Sequence, residues 1–195
     1  MASISLLYLH GLGSSGHSDT GQYLRRHYAG RCALQCPSYR PQFFHESVTR
    51  IDAWLRAALA AGPVAVLGSS MGGWHALHAL ARHPRLHVLA LNPVLDPSVL
   101  GQGQPRDDVD QRSGEALPWP ELIAANFPPA PIDTLPVERL RVMIGAADDV
   151  VPPGPTLEHC QARGISHRVY DWGHRAELGA DFAAEIDGLL ERAAG

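Results

Sequence analysis

Val64-Ala65-Val66-Leu67-Gly68-Ser69-Ser70-Met71-Gly72-Gly73-Trp74-His75-Ala76-Leu77 is the stretch that decides how this chain folds. Four apolar residues in succession read as a strand buried on both faces, and the residues from Met71 onward begin a helical pattern. Between the two, Gly68-Ser69-Ser70-Met71-Gly72 matches GxSxG, the sharp strand-to-helix turn that holds a serine hydroxyl above a parallel sheet in strained backbone geometry. Small residues at Gly68 and Gly72 let strand and helix approach without a side-chain clash. The motif alone is weak in a chain with 19 glycines, so its context carries the weight. One competing reading is a glycine-rich turn with an incidental serine. Another is a phosphate site at a helix N-terminus, but no lysine follows in P-loop spacing.

Outward from this turn, short apolar runs alternate with longer helix-period stretches. Strands are predicted at residues 4–9, 32–36, 64–67, 86–91, 140–144 and 167–171, and helices at about 20–27, 46–61, 71–82, 155–163 and 177–193. In the helix over 46–61, Val48, Ile51, Trp54, Leu55 and Leu59 recur at three- and four-residue spacing and form a core stripe, and Gly62-Pro63 ends it. The alternation predicts a three-layer α/β fold, with a sheet of about six mainly parallel strands covered by helices on both faces, as a single domain over residues 1–195.

One region departs from the alternation. Residues 101–136 are rich in proline, glycine and charge, with an apolar patch at Trp119, Leu122, Ile123 and Phe127. The segment is too short for a separate cap domain and is expected to be a minimal cap-like insertion. Trp119 and Phe127 are expected to line the acyl side of the pocket as substrate-binding residues. The alternative is that these side chains cover the sheet edge as core.

The composition narrows the classes of function. With 195 residues the chain can bury roughly 70% of its unfolded surface. Its 45% hydrophobic and 18% charged residues describe an ordinary globular protein. A net charge of -4 provides no general basic field, so nucleic acid is not an expected partner. Cys32, Cys36 and Cys160 cannot all pair internally, which points to a reducing, cytoplasmic compartment. The apolar opening at residues 4–9 is too short for a signal core or a membrane span, so no membrane partner is expected.

A serine nucleophile needs two donors aimed at the developing oxyanion, one of them the N–H of the following residue, here Met71. The second comes from the loop after an earlier strand. Leu7-Tyr8-Leu9-His10-Gly11-Leu12-Gly13 ends such a strand, and the N–H of Leu12 is assigned as donor. His10 suits a loop anchor better than a base. In hydrolases built on this turn the chain order is serine, acid, histidine, with the last two on loops after late strands. Asp148 fills the acid position, in Gly145-Ala146-Ala147-Asp148-Asp149-Val150-Val151-Pro152, and His174 the base position, after Trp172-Gly173. Most of the other histidines fall in helices, helix ends or strands. His75 and His78, three apart on one helix, show only two ligands and no HExxH pattern, so no metal is expected. Neither metal nor organic cofactor is needed for acyl transfer through Ser70, His174 and Asp148.

With these residues in place the chain resembles the small bacterial YqiA-like esterases, a compact branch of the α/β-hydrolase superfamily. The likeness rests on Leu6-Leu7-Tyr8-Leu9-His10-Gly11 with Ser14-Ser15, on Gly68-Ser69-Ser70-Met71-Gly72-Gly73, on Asn92-Pro93, on Asp148 before an acidic residue and Val150, and on the Gly173-His174 pair. The chain differs from that family at Leu12, where a bulky aromatic is frequent, and at Gly173, where asparagine is frequent. The resemblance implies an esterase with a sheet order 2-1-3-4-5-6, acting on a small-molecule acyl ester or thioester. Two further readings remain: a catalytically silent domain of this fold that binds a ligand or partner, and the same triad applied to amides or to perhydrolysis.

Overall fold

The computed structural model describes residues 4–101 and 127–195. Six strands, β1 (Ser5–Leu9), β2 (Ala33–Gln35), β3 (Val64–Ser69), β4 (His87–Leu91), β5 (Leu140–Gly145) and β6 (Ser166–Tyr170), form one sheet in the order β2-β1-β3-β4-β5-β6. Every neighbouring pair is parallel. Parallel neighbours need long crossovers. Helices α1 (Asp19–Tyr28), α2 (Phe44–Ala61), α3 (Met71–Arg82) and α4 (Pro153–Arg163) provide four of them, and α5 (Ala180–Ala194) follows the last strand. This is the α/β-hydrolase fold, in the strand order that the resemblance implies.

The two-residue period of the strands sorts their side chains between two cores. Leu7, Leu9, Val64, Val66, Val88, Ala90, Val142 and Ile144 face one side, with Ile51 and Leu55 of α2, Trp74 and Leu77 of α3 and Cys160 of α4. Leu6, Tyr8, Ala65, Leu67, Leu89, Leu91 and Met143 face the other, with Tyr23 and Leu24 of α1 and Phe182, Ile186 and Leu189 of α5. Because both faces are covered, the central strands read as continuous apolar runs rather than as alternating ones. Among the described residues no helix is long and apolar enough to cross a membrane.

Local chemistry explains where the elements end. Ser18 caps α1, its hydroxyl accepting the Gly21 N–H at 3.3 Å. The α4 helix starts at Pro153, where the missing N–H costs nothing, and stops at Gly164 with φ 66°. Some boundaries differ from the sequence expectation. The edge strand β2 has three residues rather than five, because it pairs on one side only. Gly179 is extended at φ -120°, so α5 starts at Ala180 rather than near residue 177.

The structure corrects the role expected of Phe127. Its ring is buried, 5.2 Å from the Trp74 ring and 5.7 Å from the Phe44 ring, in the core between α2 and α3. The indole N–H of Trp74 donates to the Pro128 carbonyl at 2.9 Å and holds the returning chain on that core. An apolar ring is stabilised more by this contact than at a wet rim. Trp119, Leu122 and Ile123 lie outside the described residues, as does most of the expected cap-like insertion.

Candidate active site

β1 connects outward to β2, whereas its other neighbour β3 connects the opposite way to β4, so the direction of the connections reverses between β1 and β3. A crevice opens at such a reversal, outside the carboxyl ends of the strands. Ser70 stands there between β3 and α3, with φ 55° and ψ -120°. This backbone region is costly for a residue with a Cβ and persists only where neighbours fix it. Here they do: the Ser70 N–H donates to the Leu91 carbonyl at 2.9 Å, and its carbonyl accepts the N–H groups of Gly73 at 2.9 Å and Val94 at 3.2 Å.

Two glycines bring the end of β1 against this turn. A Cβ on Gly72 would lie 2.6 Å from the Leu9 carbonyl carbon and 2.7 Å from the His10 carbonyl oxygen, so α3 meets the β1 backbone directly. A Cβ on Gly11 would lie 3.0 Å from that of Ser70. The next residue, Leu12, therefore passes beside Ser70 and lines the same cavity. Among the described residues no hydrogen bond uses the N–H of Leu12 or of Met71. His10 anchors this loop: it is fully buried, its Nδ1–H donates to the Gly11 carbonyl at 2.9 Å, and its Nε2 accepts the Tyr39 N–H at 3.3 Å. The Tyr39 hydroxyl donates to the His10 carbonyl at 2.8 Å.

Asp148 and His174 come from the loops after β5 and β6. The His174 Nδ1–H points at the carboxylate, 2.8 Å from Asp148 Oδ2 and 3.0 Å from Oδ1. Asp148 Oδ1 also accepts the N–H groups of Val150 and Val151, each at 2.8 Å. The carboxylate side chain is 1% exposed and the imidazole 22%. Burial is the largest single influence on the Asp148 carboxyl and pushes its pKa up. The hydrogen bonds from His174, Val151 and Val150 and the attraction of the ring together outweigh burial, so the pKa lies below the usual carboxylate value. The acid is thus held ionised, and the ring tautomer leaves Nε2 free to accept a proton. Asp149 is exposed.

Two adjoining cavities share Leu12, Ser70, His174 and Arg175. One, of about 390 Å³, continues past Leu100, Asp149 and Val150; the other, of about 430 Å³, past Ser14, Ser15, His17, Asp19 and Thr20. Of the residues singled out from sequence, the structure brings Leu12, Ser70 and His174 to this crevice, with Asp148 behind the ring and the Met71 N–H at the turn. It does not bring Phe127 there. Sequence reasoning missed Arg175, whose only signal is its place after His174. It gave no role to Asn92, whose Asn-Pro pair after β4 was the available clue.

No curated protein matches the chain. Several solved structures share its fold. The mouse alpha/beta hydrolase domain-containing protein 10 is 17% identical, with a TM-score of 0.66, over 96% of this chain and 90% of that one. A monoacylglycerol lipase from Paleococcus ferrophilus is 15% identical, with a TM-score of 0.66, over 96% and 94%. An esterase from Pyrococcus furiosus is 15% identical, with a TM-score of 0.69, over 100% and 83%. Identity this low establishes the fold alone. Residues 30–169 match the Esterase family, a span that holds Ser70 and Asp148 and stops short of His174. Because that match covers more than two thirds of the sequence, the chain belongs to the Esterase family.

Proposed function

We propose that the chain is a serine esterase of the YqiA-like branch, cleaving small-molecule acyl esters or thioesters through an acyl-enzyme on Ser70. The observation that carries this reading is the His174–Asp148 pair, opening with its free Nε2 side onto the cavity that Ser70 lines. In this reading His174 takes the serine proton as Oγ attacks the acyl carbon, and buried Asp148 stabilises the imidazolium that forms. The unused N–H groups of Leu12 and Met71 receive the oxyanion, where fixed donors act without reorganising. His174 then protonates the leaving alcohol or thiol, and water attacks the acyl-enzyme by the same route. Among the described residues no hydrogen bond joins Ser70 Oγ to His174, and contacts of this kind often form only in the substrate complex.

The lining of the two cavities suggests how a substrate divides between them. Leu12, Leu100 and Val150 offer apolar contact to a short or medium acyl chain, and the hydroxyl-lined cavity takes a more polar part. The free thiols of Cys32, Cys36 and Cys160 suit a cytoplasmic setting. The test is hydrolysis of p-nitrophenyl esters and acyl-CoA thioesters of graded length by wild type and Ser70→Ala, with fluorophosphonate labelling read by mass spectrometry. Wild type should turn over and label at Ser70, and the variant should lose about 10⁴-fold or more in kcat. Near-normal turnover by Ser70→Ala would overturn the nucleophile. A wild-type protein that neither labels nor turns over any ester would be a silent domain.

A further inference from the structure

Immediately after β4, Asn92 is 4% exposed and has φ 42°. Non-glycine residues rarely enter this region, and asparagine does so most readily. Its backbone N–H still donates to the Met143 carbonyl at 2.9 Å, so the residue stays fixed to β5 while its side chain is turned beyond the strand ends. That side chain makes three hydrogen bonds, all to backbone. Oδ1 accepts the Gly145 N–H at 2.7 Å, and Nδ2 donates to the carbonyls of Gly173 at 3.1 Å and His174 at 3.0 Å. One partner can only donate and two can only accept, so the amide has a single possible orientation.

These three contacts fall on the two loops that carry the acid and the base. Gly145 ends β5 and begins the turn to Asp148. Beside it, the N–H groups of Ala146 and Ala147 bond the carbonyls of Tyr170 and Trp172, at 2.8 and 3.0 Å, and so tie the two loops as far as residue 172. Beyond that point, among the described residues, the only hydrogen bonds to the backbone of Gly173 and His174 come from Asn92. The residue before it, Leu91, accepts the Ser70 N–H. Residues 91 and 92 therefore reference all three positions, 70, 148 and 174, to the end of one central strand.

We propose that Asn92 is the positioning residue of the site, setting the His174 backbone relative to Asp148 and Ser70; this rests on reading those three residues as the triad. It touches no reacting atom. Its effect is to hold the base within the narrow range of placements in which proton transfer is productive. Aspartate has the same shape but cannot donate to the Gly173 and His174 carbonyls, and its charge repels them. Glycine suits the backbone angle and removes all three bonds.

The experiment compares wild type, Asn92→Asp, Asn92→Gly and Ser70→Ala by ester hydrolysis, thermal melting and the far-downfield proton resonance of His174 Nδ1–H. Both Asn92 variants should lose about 10- to 100-fold in kcat with KM nearly unchanged, and their Nδ1–H resonance should move or broaden. If Asn92→Asp does not fold, Asn92→Gly carries the test, since it fits φ 42°. Folded variants with a lower Tm but wild-type kcat and an unmoved resonance would make Asn92 a structural brace only and overturn the proposal. Activity retained by Ser70→Ala would instead overturn the triad reading, while the resonance would still report whether Asn92 places the ring.

Discussion

Acidification should destabilise this protein through a histidine that takes no part in the proposed chemistry. The His75 ring, on the first turns of α3, is 1% exposed; it packs edge-on to Tyr39 at 5.7 Å and Phe127 at 6.4 Å and donates from Nε2 to the Pro41 carbonyl at 3.0 Å. Burial is the main cause that lowers its pKa to about 3. The Pro41 hydrogen bond pulls the other way, and His78, Arg82 and His10 add repulsion. In the unfolded chain the ring takes its proton near pH 6.5, whereas the folded ring refuses it until about pH 3. The unfolded state therefore binds more protons throughout that window. The contribution of His75 is complete above about pH 6.5 and is lost as the pH falls, at about 1.4 kcal/mol per pH unit. By pH 5 the loss is about 2 kcal/mol, a large share of a total stability of about 5–15 kcal/mol. Urea unfolding of wild type and His75→Gln at pH 7.5 and 5.0 measures it, because glutamine can still donate to Pro41 but does not titrate. Whatever the absolute stabilities, wild type should lose about 2 kcal/mol more than the variant between the two pH values. His78, also lowered by burial, to about 4, pushes in the same direction in both proteins and cancels in the difference. Equal losses would refute the reasoning.

Two further outcomes are expected. Asp148→Asn places an amide against His174 Nδ1 and favours the wrong ring tautomer, so kcat should fall on the order of 10⁴-fold. Asp149→Asn, at an exposed position, should change kcat little, and steady-state kinetics with one ester will rank the two. Phe127→Ala empties a core site between Phe44 and Trp74 and should cost about 3–5 kcal/mol in urea unfolding. It should leave the relative rates across acyl chain lengths unchanged, and a selective loss for long chains would restore Phe127 to the pocket.

How much could be read from sequence depends on how local each feature is. The turn at Ser70 is specified within five residues by steric need, so its strained backbone and its place between β3 and α3 were legible. Asp148 and His174 were legible because each follows a recognisable late strand in a short turn. Phe127 was misplaced because an apolar residue in a proline-rich segment does not reveal which surface it will meet, and Phe44 and Trp74 are distant in sequence. The Asn92 network was hidden for a similar reason. Its side-chain partners lie 53, 81 and 82 residues away, and the Asn92-Pro93 pair after β4 marks the position without naming them. The short edge strand β2 was overestimated because Cys32 and Cys36 extend its apolar pattern past the three residues that find a partner in β1.

If Ser70 acts as proposed, its positive φ sets a conflict between durability and catalysis. A residue forced into such geometry costs roughly 1–3 kcal/mol, and glycine alone would remove that cost. Under the proposed mechanism Ser70→Gly relieves that backbone cost while removing the nucleophile, at a loss in turnover far larger than the gain in stability. Engineering guided by thermal tolerance alone would drift toward that residue, so a screen for hardier forms of this protein has to score turnover together with heat resistance.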